Sequence, residues 1–158
     1  MRLTTMTDYA LRLLMYLGEN PERLCTIAEI AQAYNISQPH LMKVTNRLSR
    51  TGWVETIRGK NGGMRLAHKP AQISLGAVVR DTENDLALVE CMGEKQACSL
   101  IGRCKLPHIL AGALEHFMDY LDQYTLADLL PPEPQEAPSG TGPGAATASP
   151  VELPIRML

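Results

Sequence analysis

Residues 37–67 read SQPHLMKVTNRLSRTGWVETIRGKNGGMRLA. Leu41, Val44 and Leu48 recur at spacings of three and four, which predicts a helix with one buried face. Ser37 is placed to cap that helix. Pro39 falls in its first turn, where a missing N–H costs nothing, and Gly52 stops it. Trp53 to Arg58 then alternates apolar and polar residues, a strand signal. Gly59-Lys60-Asn61-Gly62-Gly63 is a hairpin turn containing Asn-Gly, and Gly62 and Gly63 are expected at positive φ. Met64 to Ala67 is the return strand.

Upstream, Leu3, Met6, Ala10, Leu13, Leu14 and Leu17 share one face of a helix over residues 3–17, which Gly18 and Asn20-Pro21 end. Thr26, with Glu29 three residues on, forms a capping box for a second helix. Asn35-Ile36-Ser37 is a tight turn. Three short helices followed by a β-hairpin form a winged helix-turn-helix, so the fold expected is mainly α with a β-hairpin wing. Downstream, Ser74 caps a short helix running to about Glu83, beside the wing. Residues 84–104 lack sustained periodicity. A long helix from Lys105 to Gln123 carries the stripe Leu106, Leu110, Ala113, Phe117 and Leu121, and one more turn spans residues 125–130. From Pro131 the sequence turns to Pro, Gly, Ala, Ser and Thr, a composition expected to stay disordered. The organisation expected is therefore a winged helix-turn-helix DNA-binding domain over 1–70, a cysteine-bearing loop and dimerisation helix over 71–130, and a disordered tail over 131–158.

The 158 residues fit one domain of ordinary size with an appendage, and 45% apolar residues suffice for a core. No apolar run reaches the ~18 residues needed to span a bilayer. The opening Met1-Arg2-Leu3-Thr4 leads into amphipathic sequence and not a signal peptide. A cytoplasmic, reducing location follows, where clustered cysteines point to metal binding or catalysis before disulfides. The formal charge of −2 conceals a split. Residues 1–70 hold ten Lys/Arg against five Asp/Glu, and residues 71–130 hold four against nine. A basic half beside an acidic half suits a protein with one face on a polyanion.

Gln38 and His40, near the start of the third helix, could reach base edges, while Lys43, Arg47 and Arg50 could reach phosphates. Arg58, Lys60, Asn61 and Arg65 surround the hairpin tip, which suits a wing lying along the backbone or in the minor groove. Double-stranded DNA is thus the partner expected.

Cys91, Cys98 and Cys104 are separated by six and five residues in a polar loop containing Gly93 and Gly102. Structural zinc usually takes four protein ligands at paired short spacings, and no Cys-x-x-Cys occurs here. Three thiolates with a weak or missing fourth ligand suit a reactive iron–sulfur cluster. Arg103 and Lys105 flank Cys104 and favour its thiolate. Zinc, or a thiol switch, remains the competitor. Cys25 stands apart and reads as a small buried hydrophobe. No nucleophile–base constellation points to an enzyme.

The opening LTTMTDYALR (3–12), the hairpin VETIRGKNGGMRL (54–66), the three cysteines and YTLADL (124–129) together resemble the Rrf-type (IscR/NsrR) winged-helix regulator family. The resemblance covers residues 1 to about 130. It implies a homodimeric repressor that carries an iron–sulfur cluster, [4Fe-4S] or alternatively [2Fe-2S], and responds to nitric oxide. It places the cluster ligands on Cys91, Cys98 and Cys104. It adds an aspartate from the partner's first helix, matched by Asp8, and an arginine one turn on that supports it, matched by Arg12. From the residues alone, Asp8 and Arg12 are an i, i+4 surface pair worth a few tenths of a kcal/mol. The iron–sulfur-status branch of the family places a histidine three residues after the last cysteine. Here that position is Pro107 and the histidine is His108, a departure from that branch that leaves His108 as an alternative ligand.

Overall fold

The computed structural model describes residues 2–93, 100 and 103–132. The expected ligand Cys98 lies outside the described residues, as does the tail from 133 onward. Helix α1 spans Thr5–Gly18, α2 Ile27–Tyr34 and α3 Gln38–Arg50. Strands β1 (Val54–Ile57) and β2 (Gly63–Leu66) pair antiparallel, with Val54 opposite Leu66 and Ile57 opposite Gly63. Helix α4 spans Leu75–Thr82, α5 spans Leu106–Asp122, and a 3-10 turn covers Leu126–Leu129.

The caps follow the chemistry of their residues. Thr26 accepts from Glu29 N–H at 3.3 Å and donates to the Glu29 carboxylate at 3.1 Å, completing the capping box. Asn35 ends α2 in the left-handed region, at φ 53°, a conformation that Asn tolerates better than most residues. Ser37 differs from expectation, because its side chain makes no capping bond. Its backbone carbonyl instead takes the His40 and Leu41 N–H groups, at 3.1 and 3.2 Å. The hairpin also differs in its glycines. Positive φ occurs at Gly52 and Gly59, not at Gly62 or Gly63. Those two are required by close approach: a Cβ on Gly62 would lie 2.3 Å from the Ile57 carbonyl oxygen, and one on Gly63 2.7 Å from that of Cys25.

The core gathers Ala10, Leu13 and Leu14 of α1, Leu41 and Leu48 of α3, Val54 and Met64 of the hairpin, and Ile73, Val78 and Leu126 beyond it. Cys25 is fully buried and adds a bridge to β2: its N–H donates to the Met64 carbonyl at 2.9 Å and its own carbonyl accepts from Met64 N–H at 2.8 Å. Helix α4 packs against α1 and α5, not chiefly beside the wing. The chain leaving α5 returns along residues 73–75, with Leu75 N–H donating to the Tyr124 carbonyl and Leu126 N–H to that of Ile73.

The expected stripe on α5 is only partly covered. Leu110, Phe117 and Leu121 are half-buried, whereas Leu106 and Ala113 are exposed and Met118 is the buried residue of the helix. The reason is where α5 is fastened. Arg80 of α4 grips both carboxylate oxygens of Asp122, at 2.7 and 2.6 Å, and Ser74 adds a third bond at 3.3 Å. Toward its N-terminus the helix instead borders a cleft of about 450 Å³ shared with residues 83–89. Ile109 stands 67% exposed.

The Arg80 guanidinium holds the Asp122 carboxyl below its ordinary value. The unfolded chain therefore takes up this proton at higher pH than the folded one. The contribution is intact above about pH 4, the ordinary carboxylate value, and is lost as the pH falls through the lower folded value. Urea unfolding followed between pH 6 and pH 3 should show that loss, and Asp122→Asn should flatten this part of the curve; an identical acid dependence in the variant would mean the pair contributes nothing.

Candidate nucleic-acid interface and thiol site

Helix α3 presents Gln38, His40, Lys43, Asn46 and Arg50 to solvent along the side opposite Leu41, Val44 and Leu48. The His40 ring lies 6.2 Å from that of Tyr9, between ring centres, so α1 supports the start of this face. Met42, 58% exposed, is an apolar member of the face. Sequence periodicity passed over it, because a lone exposed methionine carries no pattern.

Arg47 stands differently. It is half-buried, and its Nε donates to the backbone carbonyl of Asp81 at 2.6 Å. On the hairpin, Arg58, Lys60 and Asn61 are exposed around the tip. Arg65 faces Glu55 across the two strands at 2.8 Å, with both side chains about half exposed.

The thiols divide as their neighbours suggest. Cys25 is sealed in the core, where burial pushes its thiol above the ordinary value. Cys91 lies in the 3-10 turn Glu90–Met92 and Cys104 just before α5; both are half-buried and unpaired. Asp8 lies in the first turn of α1, bonded to Arg12 at 3.1 Å with both side chains about half exposed. His108 is exposed in the first turn of α5. Among the described residues of one chain, no three His, Cys, Asp or Glu side chains stand close enough together to hold a metal ion.

Sequence reasoning missed the end of α4. Glu83 is only 8% exposed, and one of its carboxylate oxygens accepts from Thr4 N–H at 2.8 Å and from the hydroxyls of Thr4 and Thr7. The Thr7 hydroxyl also meets that of Thr82 at 2.9 Å. Two residues earlier, the Asp81 carboxylate accepts from the Trp53 indole N–H at 2.7 Å. The one available signal was Thr7, a polar residue on the apolar side of α1.

A basic helix face, a basic hairpin tip and a core that joins them define a winged-helix DNA-binding regulator. The chain belongs to the Rrf2 family, described as iron-dependent transcriptional regulators, whose family model matches residues 3–132. It is 51% identical over 132 residues to the HTH-type transcriptional regulator NsrR of Bacillus licheniformis, covering 82% of this chain and 92% of that protein. Its identity to the NsrR regulator of Bacillus subtilis is 48%, over 82% and 90% of the two chains. Among solved structures, CymR, the global cysteine regulator of B. subtilis, superposes with a TM-score of 0.64 at 25% identity, over 82% of this chain and 95% of that one. IscR of T. potens shares the fold with a TM-score of 0.65 at 23% identity, over 82% and 85%. The chain is accordingly a transcriptional regulator of the helix-turn-helix type. Among the described residues no helix is long and apolar enough to cross a membrane.

The close approach at Gly62 gives a test of the wing. Gly62→Ala must open the hairpin tip, at a cost of about 1–3 kcal/mol of stability, the usual scale for overpacking. The variant should keep its helical circular dichroism, melt lower and bind operator DNA more weakly in fluorescence anisotropy. Unchanged melting would show that the tip relaxes freely around the added methyl.

Proposed function

We propose that this regulator is a nitric-oxide-responsive repressor that binds double-stranded DNA as a homodimer. In this reading residues 1–70 read DNA and residues 71–130 sense and dimerise. Cys91, Cys98 and Cys104 hold an iron–sulfur cluster, with Asp8 of the partner subunit as the fourth ligand. The observation that carries the reading is the pair of free, half-buried thiols, Cys91 and Cys104, which stand on either side of Cys98 in the sequence. Relatives named NsrR at about half identity support it.

The residues present fit such a group. Soft thiolates suit iron–sulfur clusters, and partial exposure leaves room for a small diatomic ligand. When bound, the cluster supplies iron that reacts with nitric oxide. The chain supplies the rest. Asp8 offers a hard oxygen that binds such iron more weakly than a thiolate does and so exchanges readily. Arg12 already orients that carboxylate, in the manner of the hydrogen-bond partners that aim metal ligands. A site completed by the partner's Asp8 makes cluster state and dimer geometry one variable. The exposed Leu106, Ile109 and Tyr120 on α5 supply apolar surface for the dimer contact. Two recognition helices must match two half-sites, so a small rotation between protomers suffices to abolish specific binding.

On DNA, Gln38, His40 and Asn61 are placed for base edges and grooves, and Lys43, Arg50, Arg58, Lys60 and Arg65 for phosphates. The outer nitrogens of Arg47 can join the phosphate contacts while its Nε stays on Asp81. Each phosphate contact adds about −0.9 to the slope of log K against log salt. Arg50→Ala should therefore flatten the slope by roughly one unit per subunit. An unchanged slope would remove Arg50 from the interface.

The cluster assignment is tested on anaerobically purified protein, by visible absorption and by iron and sulfide content. Cys91→Ala, Cys98→Ala and Cys104→Ala should each lose the cluster, whereas Cys25→Ala should keep it. Asp8→Ala should assemble a cluster whose loss no longer changes DNA affinity to the same extent. Colourless wild-type protein containing zinc would replace this reading with a zinc- or thiol-based regulator. Full cluster in Cys98→Ala would remove that residue from the site, and wild-type behaviour of Asp8→Ala would turn attention to His108.

A further inference from the structure

We propose that Asp81 is a positioning residue for DNA binding, the link through which the cysteine loop sets the recognition helix and the wing. The proposal rests on the functional reading above and adds the path between its two halves.

The three residues Asp81, Thr82 and Glu83 close α4: Asp81 is tied to α3 and the hairpin, and Thr82 and Glu83 are both tied to the start of α1. The Asp81 carboxylate accepts from the Trp53 indole N–H at 2.7 Å, at the base of the wing. The Asp81 carbonyl accepts from Arg47 Nε at 2.6 Å, in the last turn of α3. Thr82 and Glu83 bond Thr7 and Thr4 at the start of α1, the turn that also carries Asp8. From Glu83 the chain runs directly into the segment that holds Cys91. The end of α4 is thus the one place among the described residues where the approach to the cysteines, α1, α3 and the hairpin are fastened by consecutive residues.

Helix physics shows that Asp81 is not there for α4's own benefit. The last turn of a helix carries partial negative charge, so an acidic side chain there is unfavourable by itself. The last carbonyls of a helix also lack partners within the helix. Asp81 brings a carboxylate and such a carbonyl to the same spot, and a guanidinium and an indole from the DNA-reading elements satisfy them. These are bonds to charged groups, the stronger and more directional class of hydrogen bond. Trp53 is the chain's only tryptophan. Its ring stacks edge-on near His68 with ring centres 6.1 Å apart, so the indole is held from two sides. A displacement of the loop that drags Glu83 is two residues from Asp81, and it tilts α3 and the wing together.

The test compares operator affinity with and without the cluster, using a duplex selected in vitro by the wild-type protein. Iron and sulfide content and melting temperature are measured on every sample. Asp81→Ala should load a normal cluster and react normally with nitric oxide. Its cluster-loaded form should nevertheless bind the duplex about tenfold more weakly, the scale of one charge-assisted hydrogen bond, while its cluster-free form binds as the wild type does. Asp81→Asn keeps an acceptor oxygen for the indole and should restore most of the difference. Trp53→Phe removes only the donor side and should reproduce Asp81→Ala, which keeps the test decisive should Asp81→Ala fold poorly. Equal weakening of both forms in Asp81→Ala and Trp53→Phe would reduce Asp81 to a structural contact and overturn the proposal. So would an undiminished gap between the two forms. Wild-type protein that binds the duplex equally with and without cluster would instead overturn the functional reading, and this proposal with it.

Discussion

A carboxylate is costly to bury unless every lone pair that loses water finds a donor. Glu83 sets one oxygen, Oε1, against the backbone N–H of Thr4 and two threonine hydroxyls, and it can do so only when the start of α1 abuts the end of α4. Much else depends on that junction. It sets the height of α1 in the core, and with it the position of Leu13 and Leu14 beneath α3. It fixes where Asp8 leaves the helix, one residue beyond Thr7. It also fixes where the chain departs toward Cys91. A hydrophobic core alone tolerates sliding of one helix along another; a buried carboxylate oxygen with three directional bonds does not.

The winged helix-turn-helix was legible in the sequence because its signals are local. Capping residues, a 3.6-residue period and a Gly-rich turn each act within a few positions, so Thr26, Leu41 and Asn61 announce their roles without reference to the rest of the chain. The glycines of the hairpin were read with the wrong cause: Gly62 and Gly63 are needed because backbone from Ile57 and Cys25 comes too close for a side chain, a contact that only the folded chain creates. The polar junction was invisible for the same reason. Thr4, Thr7, Thr82 and Glu83 are separated by up to 79 positions, and no periodicity joins them.

The long helix shows the opposite limit. Its apolar stripe was visible, but a stripe does not say what covers it. Within one chain α4 is fastened to α5 at Asp122, Met118 is buried, and Leu106 and Ile109 stand exposed. In the sequence this helix is set aside for dimerisation, and within one chain its apolar stripe is only partly covered.

The cross-strand pair of Glu55 and Arg65 has a consequence for how the protein travels on a chromosome. A phosphate that approaches the outer nitrogens of Arg65 meets a carboxylate already held 2.8 Å from its Nε. Glu55 thus acts as an internal decoy, imitating the nucleic-acid backbone at the edge of the wing. That competition weakens one backbone contact on any duplex, irrelevant sites included. Among very many competing sequences, quick release at the wrong address counts for more than a tighter grip at the right one.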